Sequence, residues 1–213
     1  MHITTLEALR ALYDPVRERS AKKELPQLDA HALRFIELSP LVVLASGSVA
    51  GTDAQALDAS PRGGEPGFVK VLDPHTLLIP DAPGNNRLDT LENIASHGEA
   101  GAPLGLLFLL PGVDETLRVN GRALLSTDAA DLERCADARR VPKLVIRVAV
   151  QASYLHCAKA LMRSALWDAD RQVERSVLPS MGEMLRDQIG DRMSADTPVE
   201  TQTQMLERYR QTL

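Results

Sequence analysis

The sequence predicts a mainly β domain with helices at both ends, its central strands joined as an antiparallel barrel or sandwich. Three observations lead there. Between Leu41 and Val150, short apolar runs rich in β-branched residues recur, about seven in all. Short turns join most of them, which disfavours alternating βαβ units. Before Ser39-Pro40 and after Ser153 the apolar residues follow helical spacing instead. The expected organisation is one domain over 1–213, with N-terminal helices at 1–40, the barrel at 41–150 and C-terminal helices at 151–213.

Each element has its own signal. Thr4 or Thr5 can cap a first helix carrying Leu6, Leu9 and Leu12, which Asp14-Pro15 interrupts. Val16–Glu24 continues as a short polar helix. Pro26 suits the first turn of a third helix, whose apolar face is Leu28, Ala32, Phe35 and Ile36. Leu41–Ala45 is a strand, followed by turn residues Gly47–Thr52 and a strand candidate at Ala56–Ser60. Pro61–Gly67 reads as irregular. Phe68–Leu72 and Thr76–Pro80 flank the turn Asp73-Pro74-His75 as a hairpin. A helix carries Leu88, Leu91 and Ile94 on one face. Leu104–Leu110 and Glu115–Leu124 form a second hairpin, and Asp128–Ala136 a small helix before the strand Lys143–Val150. Helices are expected over Tyr154–Leu166, Ser180–Ile189 and Pro198–Gln211, with a polar stretch at Gly190–Thr197.

Composition narrows the function classes. The chain has 24 Lys and Arg against 29 Asp and Glu, a formal net charge of −5. Sequence-independent nucleic-acid binding depends on many cations releasing counterions, so it is not expected here. The longest apolar runs fall far short of the roughly 18 residues that span a bilayer, and Met1–Thr5 lacks the basic head of a signal peptide. Cys135 and Cys157 have no neighbours at metal-ligand spacing. A cytoplasmic protein with reduced thiols, no metal and no membrane partner is the expectation.

Within this acidic chain the positions of the arginines carry the chemistry. Arg62 precedes Gly63 and Gly64, which allow close backbone approach to a ligand. Arg87 follows Asn85 and Asn86 at the start of a helix, where unpaired N–H groups favour a phosphate. The same residues also make a plain turn and cap, with arginines paired to Asp89, Glu92 or water, and on sequence physics alone that plain reading leads. Arg118, Asn120 and Arg122 alternate onto one side of a strand, with Val119, Gly121 and Ala123 on the other. In the late segment His156, Lys159 and Arg163 share one face of a helix, and Cys157 is expected among its buried residues with a raised thiol pKa. Trp167, the single tryptophan, either stacks on a ligand or plugs the helix end.

Four motifs in order, Ala59-Ser60-Pro61-Arg62-Gly63, Pro83-Gly84-Asn85-Asn86-Arg87-Leu88-Asp89, Asp114-Glu115-Thr116-Leu117-Arg118-Val119-Asn120-Gly121 and His156-Cys157-Ala158-Lys159-Ala160, carry a family resemblance. The chain resembles the pyridoxamine 5′-phosphate oxidase-like, FMN-binding split-barrel superfamily, and within it a bacterial subgroup of FMN-dependent enzymes. The resemblance implies a six-stranded antiparallel split β-barrel, a homodimer with FMN between its subunits, and oxidoreductase chemistry on a small-molecule substrate with NAD(P)H as a partner. It implies that Ser60, Arg62 and Gly63 line the flavin and its phosphate tail. Asn85, Asn86 and Arg87 would hold the phosphate, with Asp89 nearby. Arg118 and Asn120 would approach from a strand, and Lys159, Arg163 and Trp167 from the late helix, across the interface.

Authentic oxidases carry an Arg-x-Val-Leu-Leu-Lys strand and a C-terminal Arg-Leu-x-Pro motif. Here the corresponding stretches read Ala-Ser-Pro-Arg-Gly-Gly and Tyr-Arg-Gln-Thr-Leu. The resemblance therefore implies the flavin more firmly than pyridoxamine phosphate oxidation. A flavin store or sensor without turnover, and a split barrel holding haem or a deazaflavin, stay open as alternatives.

Overall fold

The computed structural model describes residues 2–49, 57–192, 194 and 198–211. Two compact units divide the chain, Met1–Trp167 and Asp168–Leu213.

In the first unit, Thr5 caps α1 (Leu6–Arg10), and neither α1 nor α2 (Glu18–Lys22) buries a residue. Helix α3 (Ala30–Leu38) starts beyond Pro26, because the Asp29 carboxylate accepts from the Ala32 amide at 2.8 Å and fixes the first turn. Its buried Ala32, Phe35 and Ile36 lie at the expected helical spacing.

Seven antiparallel strands form one sheet: β1 (Leu41–Gly47), β2 (Leu57–Gly63), β3 (Lys70–Asp73), β4 (Thr76–Pro80), β5 (Ala102–Leu109), β6 (Thr116–Ser126) and β7 (Val145–His156). Their order is β2-β1-β5-β6-β7-β4-β3, so β2 and β3 are unpaired edges and the barrel is not closed. That is one strand more than the six the resemblance implies. Helix α4 (Asp89–Ser96) follows β4, α5 (Ala129–Arg134) follows β6 and α6 (Lys159–Ser164) follows β7.

Alternation along the strands sorts the sheet into two faces. Val42, Leu44, Leu106, Phe108, Leu117 and Val119 are buried on the inner face with Ile36 of α3 and Ile94 of α4. Each such apolar side chain contributes about 1.5–3 kcal/mol by leaving water.

Two segments differ from their sequence expectation. Pro61–Gly63 continues strand β2 rather than starting an irregular loop. A proline is tolerated there because β2 is an edge with no partner on its far side. Strand β7 runs on to His156, where the sequence pattern suggested a helix from Tyr154. The register shifts between Asn120 and Gly121, leaving Gln151 as an extra residue in β7. Burial consequently switches from Val148 and Val150 to Ser153, and the period-two signal is lost. His156 therefore belongs to a strand and does not share a helix face with Lys159 and Arg163.

In the second unit, α7 (Met181–Ile189) and α8 (Gln202–Arg210) each begin with a capping box, Ser180/Glu183 and Thr201/Gln204. A Cβ placed on Gly182 would lie 2.2 Å from the Glu200 carbonyl oxygen, so α7 meets the segment before α8 at close quarters. The strand start at Ala56, the turn from residue 50 and part of the 190–197 stretch lie outside the described residues. Among the described residues no helix is long and apolar enough to cross a membrane.

Candidate functional site

A cleft of about 770 Å³ opens where the two sheet edges approach each other. The C-terminal half of β2, the 64–68 loop with Lys70 of β3, the 81–88 loop entering α4, and residues 135–143 form its walls. Seven of the sequence-predicted residues meet in it: Ser60, Arg62, Gly63, Asn85, Asn86, Arg87 and Asp89.

Strand register explains how β2 contributes. Ser60 pairs with Leu44 and Arg62 with Val42, and both partners are buried on the inner face. Asp58, Ser60 and Arg62 therefore point inward at the open edge, while Ala59, Pro61 and Gly63 face out. Gly64 plays a different part from the one its sequence context suggests. Its amide donates to the Pro40 carbonyl at 3.1 Å, and a Cβ there would lie 2.8 Å from Phe68 Cβ. Strand-end packing, rather than ligand approach, requires that glycine.

The loop before α4 is held in an uncommon conformation. Asn85 Oδ1 accepts from the Arg87 amide at 3.1 Å, Asn86 has φ 60° and Leu88 has φ 30°. A left-handed conformation is unusual for leucine and costs on the order of 1–3 kcal/mol. Leu88 is the N-cap and gives α4 no side-chain cap, so first-turn amides of α4 are left without that partner. The Arg87 Nε donates to Asp89 Oδ2 at 2.7 Å, with the arginine side chain still 78% exposed.

The wall residues carry a positive balance in a negatively charged chain. Arg62, Lys70, Arg87, Arg140 and Lys143 face Glu65, Asp81, Asp89 and Asp137. Of those acids, Asp89 is engaged by Arg87. Asp137 accepts from the amides of Arg139 at 2.8 Å and Arg140 at 3.0 Å, which lower its pKa. An anion entering the cleft meets five cations, while two of the four acids beside them already accept hydrogen bonds.

Cysteine placement reverses the sequence expectation. Cys157 is exposed, in the turn after β7. The buried thiol is Cys135, which lines the cleft, and desolvation by burial pushes its pKa up to about 11.

The other predicted residues do not reach this cleft. Leu44 pairs with Leu106, and Leu106 with Val119, so Ser60 and Val119 share the inner face. Arg118 and Asn120, flanking Val119, are on the outer face. There the Arg118 guanidinium sits 5.3 Å from the Tyr154 ring centroid. Lys159 and Arg163 are exposed on α6. Trp167 donates its indole N–H to the Val113 carbonyl at 3.0 Å, which seats it against the β5–β6 turn.

The sequence reading missed Asp58 and Thr90, which hold the cleft wall. Ser60 donates to Asp58 Oδ1 at 2.8 Å, and the buried Thr90 hydroxyl of α4 bonds Asp58 Oδ2. Nearby, Asn93 Nδ2 donates to Ser46 Oγ at 3.0 Å, a second tie between α4 and the sheet, this one to β1. Alternation alone would have put Asp58 beside Ser60; its link to Thr90 spans the fold and leaves no local signal. Lys70, Arg140 and Lys143 were also missed, since single cations near strand ends carry no pattern.

A sequence model of the pyridoxamine 5′-phosphate oxidase family matches residues 28–157. No curated protein matches the chain. Among solved structures it is similar to HupZ of Group A Streptococcus, with 19% identity over 60% of this chain and 93% of that one and a TM-score of 0.47. An FMN-binding protein of Syntrophomonas wolfei is 10% identical over 59% of this chain and 88% of that one, with a TM-score of 0.40. An FAD-binding protein of Mycobacterium smegmatis is 17% identical over 62% of this chain and 98% of that one, with a TM-score of 0.39.

Proposed function

The chain belongs to the pyridoxamine 5′-phosphate oxidase family, and from that premise we propose that its cleft binds FMN. The observation that carries this reading is the meeting of Arg62, Arg87 and the uncapped first turn of α4 in one cleft of a chain with net charge −5. A terminal phosphate is the group such a corner suits. The remaining walls fit the rest of the cofactor. The volume falls within the roughly 300–1,000 Å³ of small-molecule sites, and Phe68, Leu88 and Leu91 offer apolar surface to a planar ring.

In this reading Arg62, Asn85, Asn86 and Arg87 hold the phosphate, Asp89 fixes Arg87, and Ser60 and Gly63 flank the ring system. Bound there, FMN would supply electron transfer between NAD(P)H and a small-molecule acceptor. The protein's own part is to orient, to neutralise charge and to exclude water.

Arg118, Asn120, Lys159, Arg163 and Trp167 enter this proposal through a second copy of the chain. The outer sheet face has the character of a self-association surface. The small residues Ala59, Ala45, Gly105 and Ala152, with Asn120 among them, run beside Pro61, Val43, Leu107 and Arg118. Such a face allows close approach of another sheet. A homodimer would bring one copy's outer-face residues to the other's cleft, and we assign the protein to the cytoplasm.

The absorption spectrum of the protein after incubation with FMN and gel filtration tests the reading. A retained flavin band supports it. A haem or deazaflavin spectrum from the purified protein, or loss of all FMN on the column, would replace it with another ligand.

A further inference from the structure

We infer that Asp58 is a positioning residue that turns the Ser60 hydroxyl into an acceptor-only contact, so that Ser60 reads an N–H group on the ring of the bound ligand and not its phosphate. This rests on the proposed binding of FMN in the cleft.

An ionised carboxylate has no hydrogen to give, so every hydroxyl bonded to it must donate. Both Asp58 oxygens are taken in this way, Oδ1 by Ser60 at 2.8 Å and Oδ2 by Thr90. A serine hydroxyl owns one proton, and that of Ser60 is committed to Asp58. What remains on its oxygen toward the cleft is lone-pair density.

A phosphate near neutral pH offers almost only acceptor oxygens, so the Ser60 oxygen would repel rather than hold it. An N–H at the edge of a heteroaromatic ring is the complementary group. The wall thus divides into two chemistries: cations and uncapped amides at the 85–89 corner for the anion, and an acceptor at Ser60 for the ring. Thr90 keeps the device rigid. It is 1% exposed and belongs to α4, so the carboxylate is held from the helix while it orients the strand.

Equilibrium titration of FMN and of riboflavin against the wild type, Ser60→Ala, Asp58→Asn and the double variant tests this. A lost neutral hydrogen bond of about 0.5–1.5 kcal/mol corresponds to a roughly 2- to 10-fold weaker Kd. Ser60→Ala is expected to weaken both ligands by the same factor in that range, leaving the riboflavin-to-FMN ratio unchanged. Asp58→Asn, whose amide can donate to Ser60 and release its proton into the cleft, should weaken both similarly. Added to Ser60→Ala, it should cost nothing more, because Asp58 acts through that hydroxyl.

Collapse of the riboflavin-to-FMN ratio in Ser60→Ala would place Ser60 on the phosphate and overturn the inference. Asp58→Asn costing as much without the Ser60 hydroxyl as with it would make Asp58 a fastener of α4 only, which also overturns it. Unchanged affinities in Ser60→Ala would do the same. Failure of the wild type to bind either flavin would instead remove the FMN reading itself, and this inference with it. Should Asp58→Asn not fold, the Ser60→Ala ratio alone still decides.

Discussion

Ser60 and Asn120 stand on opposite faces of one sheet. Ser60 pairs with Leu44 on the inner face, whereas Asn120 lies opposite Gly105, itself opposite Ala45, on the outer face. The sheet therefore divides the residues that the family resemblance assigns to one ligand into two sets, and no side-chain rotation within one chain reunites them.

A mixed dimer turns that division into a prediction. Arg87→Ala and Arg118→Ala homodimers should each bind FMN about 10- to 100-fold more weakly, the loss of one or more charge-assisted bonds. Co-expressed as a heterodimer, they should recover wild-type affinity at half of the sites, since one cleft then has both arginines. Titration of the isolated heterodimer reads the stoichiometry. Two weak sites and no strong one would mean that Arg118 does not serve the neighbouring cleft.

Leu88 provides a stability prediction. Its φ of 30° is one that glycine adopts at no steric cost. Leu88→Gly should stabilise the fold by about 1 kcal/mol, raising Tm by about 2–4 °C for a chain of this size. Leu88→Ala keeps the strain and should not raise Tm. A lower Tm for the glycine variant would show that the leucine side chain contributes more than its backbone costs.

Gly121 should be intolerant of any side chain. A Cβ there would lie 2.2 Å from the Ala149 carbonyl oxygen, at the bulge that lets β6 and β7 pair along their length. Gly121→Ala is expected to cost about 1–3 kcal/mol through backbone displacement, measured by denaturant unfolding. An unchanged midpoint would mean that the two strands part without penalty.

The Cys135 thiol predicts an alkaline effect with a definite sign. Burial raises its pKa from 9.0 to about 11, so the folded chain holds the proton more tightly than the unfolded one. Its contribution is complete below pH 9 and is lost as pH rises toward 11. The stability of the wild type should fall more steeply over that window than that of Cys135→Ala. At pH 8 an alkylating reagent should modify exposed Cys157 well before buried Cys135. Equal labelling rates would contradict the burial.

What the sequence made legible were elements with a local signal. The face of α3 at Ala32, Phe35 and Ile36 and the hairpin of β5 and β6 were readable from spacing, and the turn before Arg87 from its Asn85-Asn86 pair. Three things were not. The end of β7 was hidden because one extra residue at Gln151 inverts the alternation that announces a strand. The exposure of Cys157 follows from the extension of β7 to His156, and the burial of Cys135 from its packing against Leu78 and Val145, neither of which leaves a local signal. The separation of Ser60 from Asn120 depends on pairings through β1 and β5, and such register is a property of several strands together.

The claim that the cleft reads a terminal phosphate is tested most directly by titrating the unmutated protein with FMN and with riboflavin under identical salt. The account predicts that FMN binds at least tenfold more tightly, about 1.4 kcal/mol or more, and that Arg87→Ala removes most of that advantage while leaving riboflavin nearly unaffected. Equal affinities of the unmutated protein for FMN and riboflavin would contradict it.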